Sequence, residues 1–376
     1  MLLKKILANP IVKLIGLALL TAIAVVSLNF GVSSAIATPK PLRTLIAQTA
    51  SPSNNNIGNI FLKIFFGFDD YSPFMEGLAG VENGGKWGYI DKQGNFKIRA
   101  QFDAVSPFFE GIAGVSIADK WGFIDKKGSF KIKTQFDLAY PFIEGLSLVR
   151  VGEKWGYINK QGNFVIQPKF ENGLPFLEGM AAVQVNKKWG YVDKSGKMAI
   201  KPQFDSSSPF FEGLAAVSVN NRWGYINKQG DLTIKPQFDG TFLFLEGLAP
   251  VQIKDKWGYI DKSGNIVIQP QFDYAFGFVE GLAGAVGEGG KWGYIDKTGN
   301  FAIKPQFDNA SVFSEGLAEV KVGEKWGYVD KSGKPVIPSQ FENNSFFSEG
   351  LAGVRINGKW GYIDRKGKTI IKPQFE

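Results

Sequence analysis

Two sets of acidic residues recur in this 376-residue chain where paired carboxylates could do chemistry. An acidic residue follows Gln-Phe or Lys-Phe in every copy of a repeated pattern, as at Asp103, and a glutamate lies in the pattern Phe-x-Glu-Gly nine times. Carboxylate pairs hydrolyse glycosides or hold calcium. The glutamates are Glu76, Glu110, Glu144, Glu178, Glu212, Glu246, Glu280, Glu315 and Glu349. Because ninefold copying argues against a single catalytic cleft, we expect these groups to accept hydrogen bonds in turns and pair with lysines, with calcium binding as the alternative.

The residue types that are missing narrow the chemistry further. The chain has no cysteine and no histidine, which excludes thiolate nucleophiles, imidazole bases, disulfides and the commonest ligands of zinc and copper. A Ser/His/Asp triad is therefore impossible, and no phosphate-binding loop is present. We expect no catalytic residues, no metal, no cofactor and no enzyme activity.

All nine tryptophans lie in one repeated segment, Lys-Trp-Gly-Tyr-Ile-Asp or a close variant, and each is followed by glycine. They could form an aromatic ladder that stacks on sugar rings, or they could fill the core between repeats. Leaving them exposed would forfeit roughly 1.5 to 3 kcal/mol of burial for each, so we favour a structural role. These repeat-defining residues are Trp87, Trp121, Trp155, Trp189, Trp223, Trp257, Trp292, Trp326 and Trp360.

The tryptophans also set the period of the chain, which is 34 residues seven times and 35 once. Within one repeat, alternation predicts a first strand with Trp87 and Tyr89 on one face and Gly88 on the other. A second strand over 96–102 and a third over 113–117 complete the unit. The pattern therefore predicts an all-β fold of tandem three-stranded antiparallel meanders.

A glycine recurs in the turn between the first two strands of every repeat. Glycine adopts the positive φ that closes such a short hairpin, and a larger side chain would strain the backbone there. These turn glycines are Gly94, Gly128, Gly162, Gly196, Gly230, Gly264, Gly299, Gly333 and Gly367.

The meanders must cover one another, because one unit of this size cannot bury its own apolar face. Propeller blades usually have four strands and about 40 to 45 residues, which fits three-stranded units of 34 residues poorly. A tight parallel β-helix would stack like charges in columns, from Lys86 onward. We therefore expect an open superhelical array, with a closed propeller-like array as the alternative.

The combined pattern resembles a known family. Lys-Trp-Gly-Tyr-Ile/Val-Asp/Asn-Lys-x-Gly, then Ile-x-Pro-Gln-Phe-Asp/Glu, then Phe-x-Glu-Gly-Leu-Ala-x-Val is similar to the WG repeats, also called KWG repeats, and covers residues 70–376 nine times. This resemblance implies a bacterial all-β repeat region, often exported, and it brings no catalytic residues. Phe123 in place of tyrosine and Asn159 in place of aspartate are small departures.

The amino-terminal residues read as an export signal. Residues 1–37 combine Lys4 and Lys5, an apolar run and the small residues Ala35 and Ala37, which predicts a signal peptide cleaved after Ala37. An uncleaved membrane anchor is the alternative, and the only predicted contact with a membrane. Residues 38–57 read as a flexible linker. A repeat domain over 58–376 follows, and its segment 58–69 resembles a degenerate cap strand.

These features favour a non-enzymatic scaffold that is exported to the periplasm, the cell envelope or the exterior and binds another protein. Binding of a polysaccharide by the aromatic residues is the alternative. Without Lys4, Lys5 and Lys13 of the signal segment, the formal charge of +8 falls to +5, and this small excess is spread evenly through the repeats, so we expect no nucleic-acid binding. Recognition should lie in the less regular residues between copies, such as Ser206-Ser207-Ser208 or Asn343-Asn344.

Overall fold

The computed structural model describes residues 72–376. The predicted signal segment 1–37, the linker 38–57 and the cap strand 58–69 lie outside the described residues. The described chain forms two compact units, a large unit of residues 72–220, 226–231 and 342–376 and a small unit of residues 221–225 and 232–341. None of the helices within 72–376 is long and apolar enough to cross a membrane.

The all-β prediction is confirmed, since strands and one short 3-10 helix, η1 at Glu288–Gly290, are the regular elements of residues 72–376. The strands are β1 Ala79–Asn83, β2 Lys86–Ile90, β3 Phe96–Phe102, β4 Ala104–Val105, β5 Ile112–Ile117, β6 Lys120–Asp125, β7 Phe130–Phe136, β8 Leu138–Ala139, β9 Leu146–Val151, β10 Lys154–Asn159, β11 Phe164–Phe170, β12 Asn172–Gly173, β13 Met180–Val185, β14 Lys188–Asp193, β15 Met198–Phe204, β16 Ser206–Ser207, β17 Ala215–Val219, β18 Arg222–Ile226, β19 Leu232–Phe238, β20 Gly240–Thr241, β21 Ala249–Ile253, β22 Lys256–Ile260, β23 Ile266–Phe272, β24 Tyr274–Ala275, β25 Ala283–Val286, β26 Trp292–Ile295, β27 Phe301–Phe307, β28 Asn309–Ser314, β29 Leu317–Val322, β30 Lys325–Asp330, β31 Pro335–Phe341, β32 Asn343–Asn344, β33 Leu351–Ile356, β34 Lys359–Asp364 and β35 Thr369–Phe375.

The sheets have four strands, so the predicted three-stranded meander is corrected. In the second sheet, the strands follow the order β4-β5-β6-β7 and every neighbouring pair is antiparallel. The missed strand is β4, which has only two residues and is therefore too short to show alternation in the sequence. The first sheet has three described strands, β1-β2-β3.

Both faces of a sheet are buried, as the first sheet in the large unit shows. Tyr89 on β2 packs in a cluster with residues of the second sheet, including Val115. The next residue, Ile90, belongs to a different cluster that includes Trp360 and Phe375 of the last sheet. Successive residues of a strand point to opposite faces, so the alternation predicted for this segment places its side chains in two separate cores.

The first and last repeats pack against each other inside the large unit. Gly77 N donates to Glu349 Oε2 at 3.1 Å, and the Tyr362 hydroxyl donates to the Ser72 carbonyl at 2.9 Å. An open superhelix would hold these repeats apart, so the prediction of an open array is wrong. The contacts favour the closed propeller-like alternative, because the four-stranded units let each sheet cover its neighbour on both faces.

The single 35-residue interval has a local cause. The strands equivalent to β5 and β6 are usually joined by a two-residue turn, as at Ala118 and Asp119, which both have positive φ. Between Val286 and Trp292 the connection is longer and contains η1. The extra residue is thus absorbed in one hairpin, and the strands on either side keep their pairing.

Candidate functional site

The glycine after each tryptophan is explained by the course of the neighbouring strand. Between the pairs Trp121 with Phe136 and Phe123 with Ile132, the register of β6 against β7 shifts through a bulge. A Cβ on Gly122 would lie 2.6 Å from the Ile132 carbonyl oxygen. The backbone of β7, the last strand of the sheet, therefore crosses directly over this glycine, and a larger residue would collide with it.

Each of the nine tryptophans lies at the start of the strand next to the last strand of its sheet, and most are buried. Trp121, Trp155, Trp189, Trp257, Trp292 and Trp360 are buried, whereas Trp87, Trp223 and Trp326 are half-buried. A continuous ladder of exposed rings is therefore not what the fold presents. Their side chains contribute mainly to packing.

The turn glycines also sit at an inter-repeat contact. Their φ angles lie between 81° and 88°. A Cβ on Gly128 would lie 3.3 Å from Ile98, which belongs to β3, the last strand of the preceding sheet. The same contact joins Gly94 to Ile371, so it also connects the first and last repeats. These turns thus pack on an adjacent repeat as well as reversing the chain.

The recurrent glutamates link successive repeats. Glu76 has a φ of 52°, in the left-handed region, and its carboxylate accepts a hydrogen bond from Gly111 N of the next repeat at 3.1 Å. Lys126 of that repeat donates to the Glu76 carbonyl at 3.0 Å and pairs with its carboxylate at 3.1 Å. All nine glutamates have φ between 50° and 55°. A left-handed conformation costs a non-glycine residue of order 1 kcal/mol, and these bonds offset it.

The second acidic set, represented by Asp103, joins a lysine to a hairpin. Asp103 Oδ1 lies 2.5 Å from Lys86 Nζ, and Oδ2 accepts a hydrogen bond from Ala118 N at 2.7 Å. The hydrogen bond from Lys86 and the one from the Ala118 amide hold the pKa of Asp103 below its usual value. Within residues 72–376, no three acidic side chains are grouped closely enough to hold a metal ion. The geometry therefore gives the recurrent carboxylates a connecting role.

The tyrosine two residues after a tryptophan makes a further hydrogen bond. In one repeat Phe123 stands in place of this tyrosine, and another side chain serves the same acceptor. The Tyr89 hydroxyl donates a hydrogen bond to the Ser106 carbonyl at 2.7 Å. Phe123 has no hydroxyl, and the equivalent carbonyl, that of Tyr140, accepts instead from Ser147 Oγ at 2.6 Å. The other repeats have alanine where Ser147 lies, so this serine is a local compensation that sequence reasoning missed.

The residues that differ most between repeats gather at one end of each sheet. Ser206 and Ser207, predicted as recognition residues, form the two-residue strand β16, and Asn343 and Asn344 form β32. The first residue of such a strand pairs with a variable residue of the next strand, as in the pairs Asn172 with Gln184 and Asn343 with Arg355. This set, the short strands and the residues paired with them, is called the variable edge below.

In two sheets of the small unit, the residue beside the variable edge is a phenylalanine that stacks on a tryptophan. Phe242 stacks on Trp257 with 5.0 Å between ring centroids and 14° between planes, and Phe276 stacks on Trp292 at 4.8 Å and 20°. Tyr274 of β24 lies 5.5 Å from Trp257 and 5.9 Å from Trp292. The serine found at the equivalent of Phe276 in other repeats, such as Ser106, cannot make this contact.

One acidic residue with a shielded carboxylate oxygen departs from the repeat. Glu319 of β29 occupies a position that is glycine, alanine, leucine or proline in the other repeats. The residue is half-buried, but its Oε1 is shielded from water and has no hydrogen-bond partner among residues 72–376. Burial raises the pKa of Glu319 to about 8, so the carboxyl group is largely protonated at neutral pH.

Comparison with solved structures gives a likeness of fold alone. A crystal structure of a eukaryotic initiation factor matches with a TM-score of 0.56 and 13% identity, over 79% of this chain and 94% of that chain. The computationally designed Ika8 protein matches with a TM-score of 0.41 and 9% identity, over 70% and 93%. BamB from Moraxella catarrhalis matches with a TM-score of 0.39 and 9% identity, over 79% and 96%.

No curated protein sequence matches this chain. The family model described as "WG containing repeat" matches ten successive segments, from residues 64–87 through 87–121 and onward to 360–376. Each internal segment runs from one tryptophan to the next, which is the period set by the bulge, the turn and the glutamate link described above. The chain therefore belongs to the WG-repeat family over residues 64–376.

Proposed function

We propose that this protein is an exported, non-enzymatic scaffold that binds a protein partner through the variable edge. One observation carries the proposal. The acidic, lysine and tyrosine side chains that recur in most repeats make contacts that hold the repeats together, while many of the residues that differ between repeats lie on the variable edge. Residues free to vary within a fixed frame are those on which selective binding can be built.

The composition of the variable edge suits a protein surface. In the large unit it offers amides and hydroxyls such as Asn172, Gln184 and Ser206, all of them half-buried. Asn343 is exposed. Such groups form adaptable hydrogen bonds at protein interfaces, and several repeats acting together add avidity. Recognition of glycans by a tryptophan ladder is not proposed, because six of the nine rings are buried.

Site-specific photocrosslinking tests the proposal. A photoreactive phenylalanine analogue placed at Asn343 of the full chain should crosslink to one discrete protein in envelope extracts. The same analogue at the exposed Gln203 of β15, away from the variable edge, is the control. We expect Asn172→Arg with Ser206→Arg to abolish the crosslinked product without changing the thermal unfolding temperature. Equal crosslinking from Gln203, or none from Asn343, would contradict the proposal.

A further inference from the structure

Two of the three recurrent classes of cation in the repeat are neutralised. Lysines equivalent to Lys86 pair with carboxylates equivalent to Asp103. Lysines equivalent to Lys92 pair with glutamates equivalent to Glu349. These ion pairs join neighbouring repeats, so their charges are not available to a ligand without loosening the fold.

The third class lies on the last, seven-residue strand of each sheet, here called the outer strand. The nine outer strands contain nine lysine or arginine residues and not one aspartate or glutamate. Lys97 and Lys131 pair with Asp91 and Asp125 of the preceding turns. The remaining cations are exposed and have no ion pair among residues 72–376. They are Arg99, Lys133, Lys169, Lys201, Lys235, Lys304 and Lys372.

Five of these cations lie on consecutive sheets of the large unit. The last sheet adjoins the first, since the rings of Phe375 and Phe96 are 6.1 Å apart. The outer strands β35, β3, β7, β11 and β15 therefore follow one another and contribute one unpaired cation each. We call this set the basic stripe, and its members are Lys372, Arg99, Lys133, Lys169 and Lys201.

Protection of a sheet edge does not explain the basic stripe fully. A charged side chain on an edge strand discourages pairing with another sheet, and lysine and proline are both common there. A glutamate would repel a second copy of the strand equally well. The complete absence of acids from all nine outer strands therefore points to an anionic ligand.

The side chains around the cations narrow the class of ligand. Each cation of the basic stripe has an exposed glutamine two residues away, as Arg99 has Gln101, and amides suit the hydroxyl groups of sugars. The exposed alternate positions of these strands carry no aromatic ring on which a nucleic-acid base could stack. Phe130, which begins β7, is 43% exposed, but its ring packs edge-on against Phe102 of the preceding sheet, with 6.5 Å between centroids, so it does not extend freely as a membrane anchor would.

We propose that the basic stripe binds a linear acidic polysaccharide. One cation and one amide per strand, repeated on five strands, match a polymer whose carboxylate and hydroxyl groups also repeat along its length. Each contact is weak because it is exposed, and the affinity comes from their number. This binding site is separate from the variable edge and does not depend on a protein partner there.

The test uses the full chain and alginate, a linear polyuronate, with neutral dextran of matched length for comparison. We expect alginate to bind at low ionic strength, to be released by salt, and dextran not to bind. A variant with Arg99, Lys133, Lys169, Lys201 and Lys372 replaced by glutamine should bind alginate at least about tenfold more weakly. The matched control replaces five exposed turn lysines of the same unit, Lys127, Lys187, Lys197, Lys366 and Lys368, and loses the same charge.

Retention of alginate binding by the control variant, with loss in the stripe variant, supports the proposal. Equal losses in both variants would overturn it, because net charge alone would then explain binding. Absence of alginate binding by the unaltered chain would also overturn it. So would tighter binding to vesicles of phosphatidylglycerol or to single-stranded DNA than to alginate, since the ligand would then belong to another class. Circular dichroism of both variants checks that they are folded.

Discussion

Two equivalent positions beside the variable edge, Ser106 in the large unit and Phe276 in the small unit, use one backbone frame in two chemical ways. In the large unit, Ser106 Oγ accepts a hydrogen bond from Gly114 N at 2.8 Å. At the equivalent position in the small unit, Phe276 keeps the same backbone pairing, its amide donating to the Gly284 carbonyl at 2.9 Å, but its ring covers Trp292. Since the backbone pairing is the same with either side chain, the backbone is held in place elsewhere, by the tryptophan-glycine bulge and the links between repeats.

The largest expected effect tests whether the frame is the same in both units. Gly190→Ala in the large unit and Gly258→Ala in the small unit should each destabilise the fold by more than about 4 kcal/mol, because the new Cβ would lie 2.5 Å from a backbone carbonyl oxygen. Urea denaturation followed by tryptophan fluorescence measures this. Gly152→Asn is the control, since it lies in an open turn where other repeats have Asn186 or Asn220, and it should be nearly neutral.

Replacing a tryptophan should destabilise the fold in both units. The loss should be larger where the ring also stacks on a phenylalanine, as it does in the small unit. Trp189→Ala and Trp292→Ala should each cost about 3 to 5 kcal/mol of stability. Trp292→Ala should cost about 1 kcal/mol more, because it also removes stacking on Phe276. For Trp189→Ala, we expect the loss of stability to precede any loss of partner binding. If binding were lost with stability unchanged, the ring would have to be reassigned to recognition.

Glu319 offers a pH-dependent test within the small unit. Its folded pKa of about 8 is above its ordinary value of 4.5, so the folded state holds a proton that the unfolded state has released. This group therefore makes stability fall as the pH rises between those values. Glu319→Ala, which matches Ala182 and Ala216 of the large unit, should raise the unfolding free energy by about 1 to 3 kcal/mol at pH 8.5.

The same substitution should give little gain at pH 5, where the carboxyl group is mostly protonated in the unfolded state too. Chemical denaturation at a series of pH values measures the difference. A gain that is independent of pH would show that packing, and not ionisation, is responsible.

The smallest expected effect concerns two hydroxyl groups in the large unit that could each donate a hydrogen bond to the Tyr140 carbonyl. Ser147→Ala should cost about 1 kcal/mol, because it removes the hydroxyl that serves the Tyr140 carbonyl. Phe123→Tyr in that background should restore most of the loss, since a tyrosine hydroxyl reaches the equivalent carbonyl in other repeats. Thermal unfolding of the two single variants and the double variant gives the coupling energy. Simple additivity would show that the two hydroxyls do not substitute for each other.

Local structure was well predicted from the sequence, because each repeat carries its own alternation and turn chemistry. The strand around Trp87, the turn at Gly94 and the all-β class all follow from nearest-neighbour geometry. The two-residue strand β4 could not be predicted, since its pairing depends on β5 rather than on any pattern of its own. The contact between Gly77 and Glu349 was missed for a related reason. The same local sequence suits an open or a closed array, and only the summed twist of the sheets decides.

The surfaces proposed to bind ligands were predicted less completely. Ser206 and Asn343 were singled out because they break the repeat, and they do lie together with other irregular residues on the variable edge. The basic stripe was missed because lysines look evenly spread along the chain. Only the structure shows that Lys86 is paired and that Lys133 is not. Counting acids strand by strand, rather than over the whole chain, would have revealed it.

The contact between the first and last repeats also shapes how the molecule must assemble. Gly77 and Glu349 are 272 residues apart, so every sheet between them can form before they meet. Because loop entropy grows only with the logarithm of length, closing this loop costs about 2 kcal/mol more than closing one of a single repeat. Until then, Val81 and Ile90 present an uncovered apolar face that the last sheet of a second molecule fits equally well. Concentrated refolding should therefore yield exchanged dimers, in which each chain completes the other.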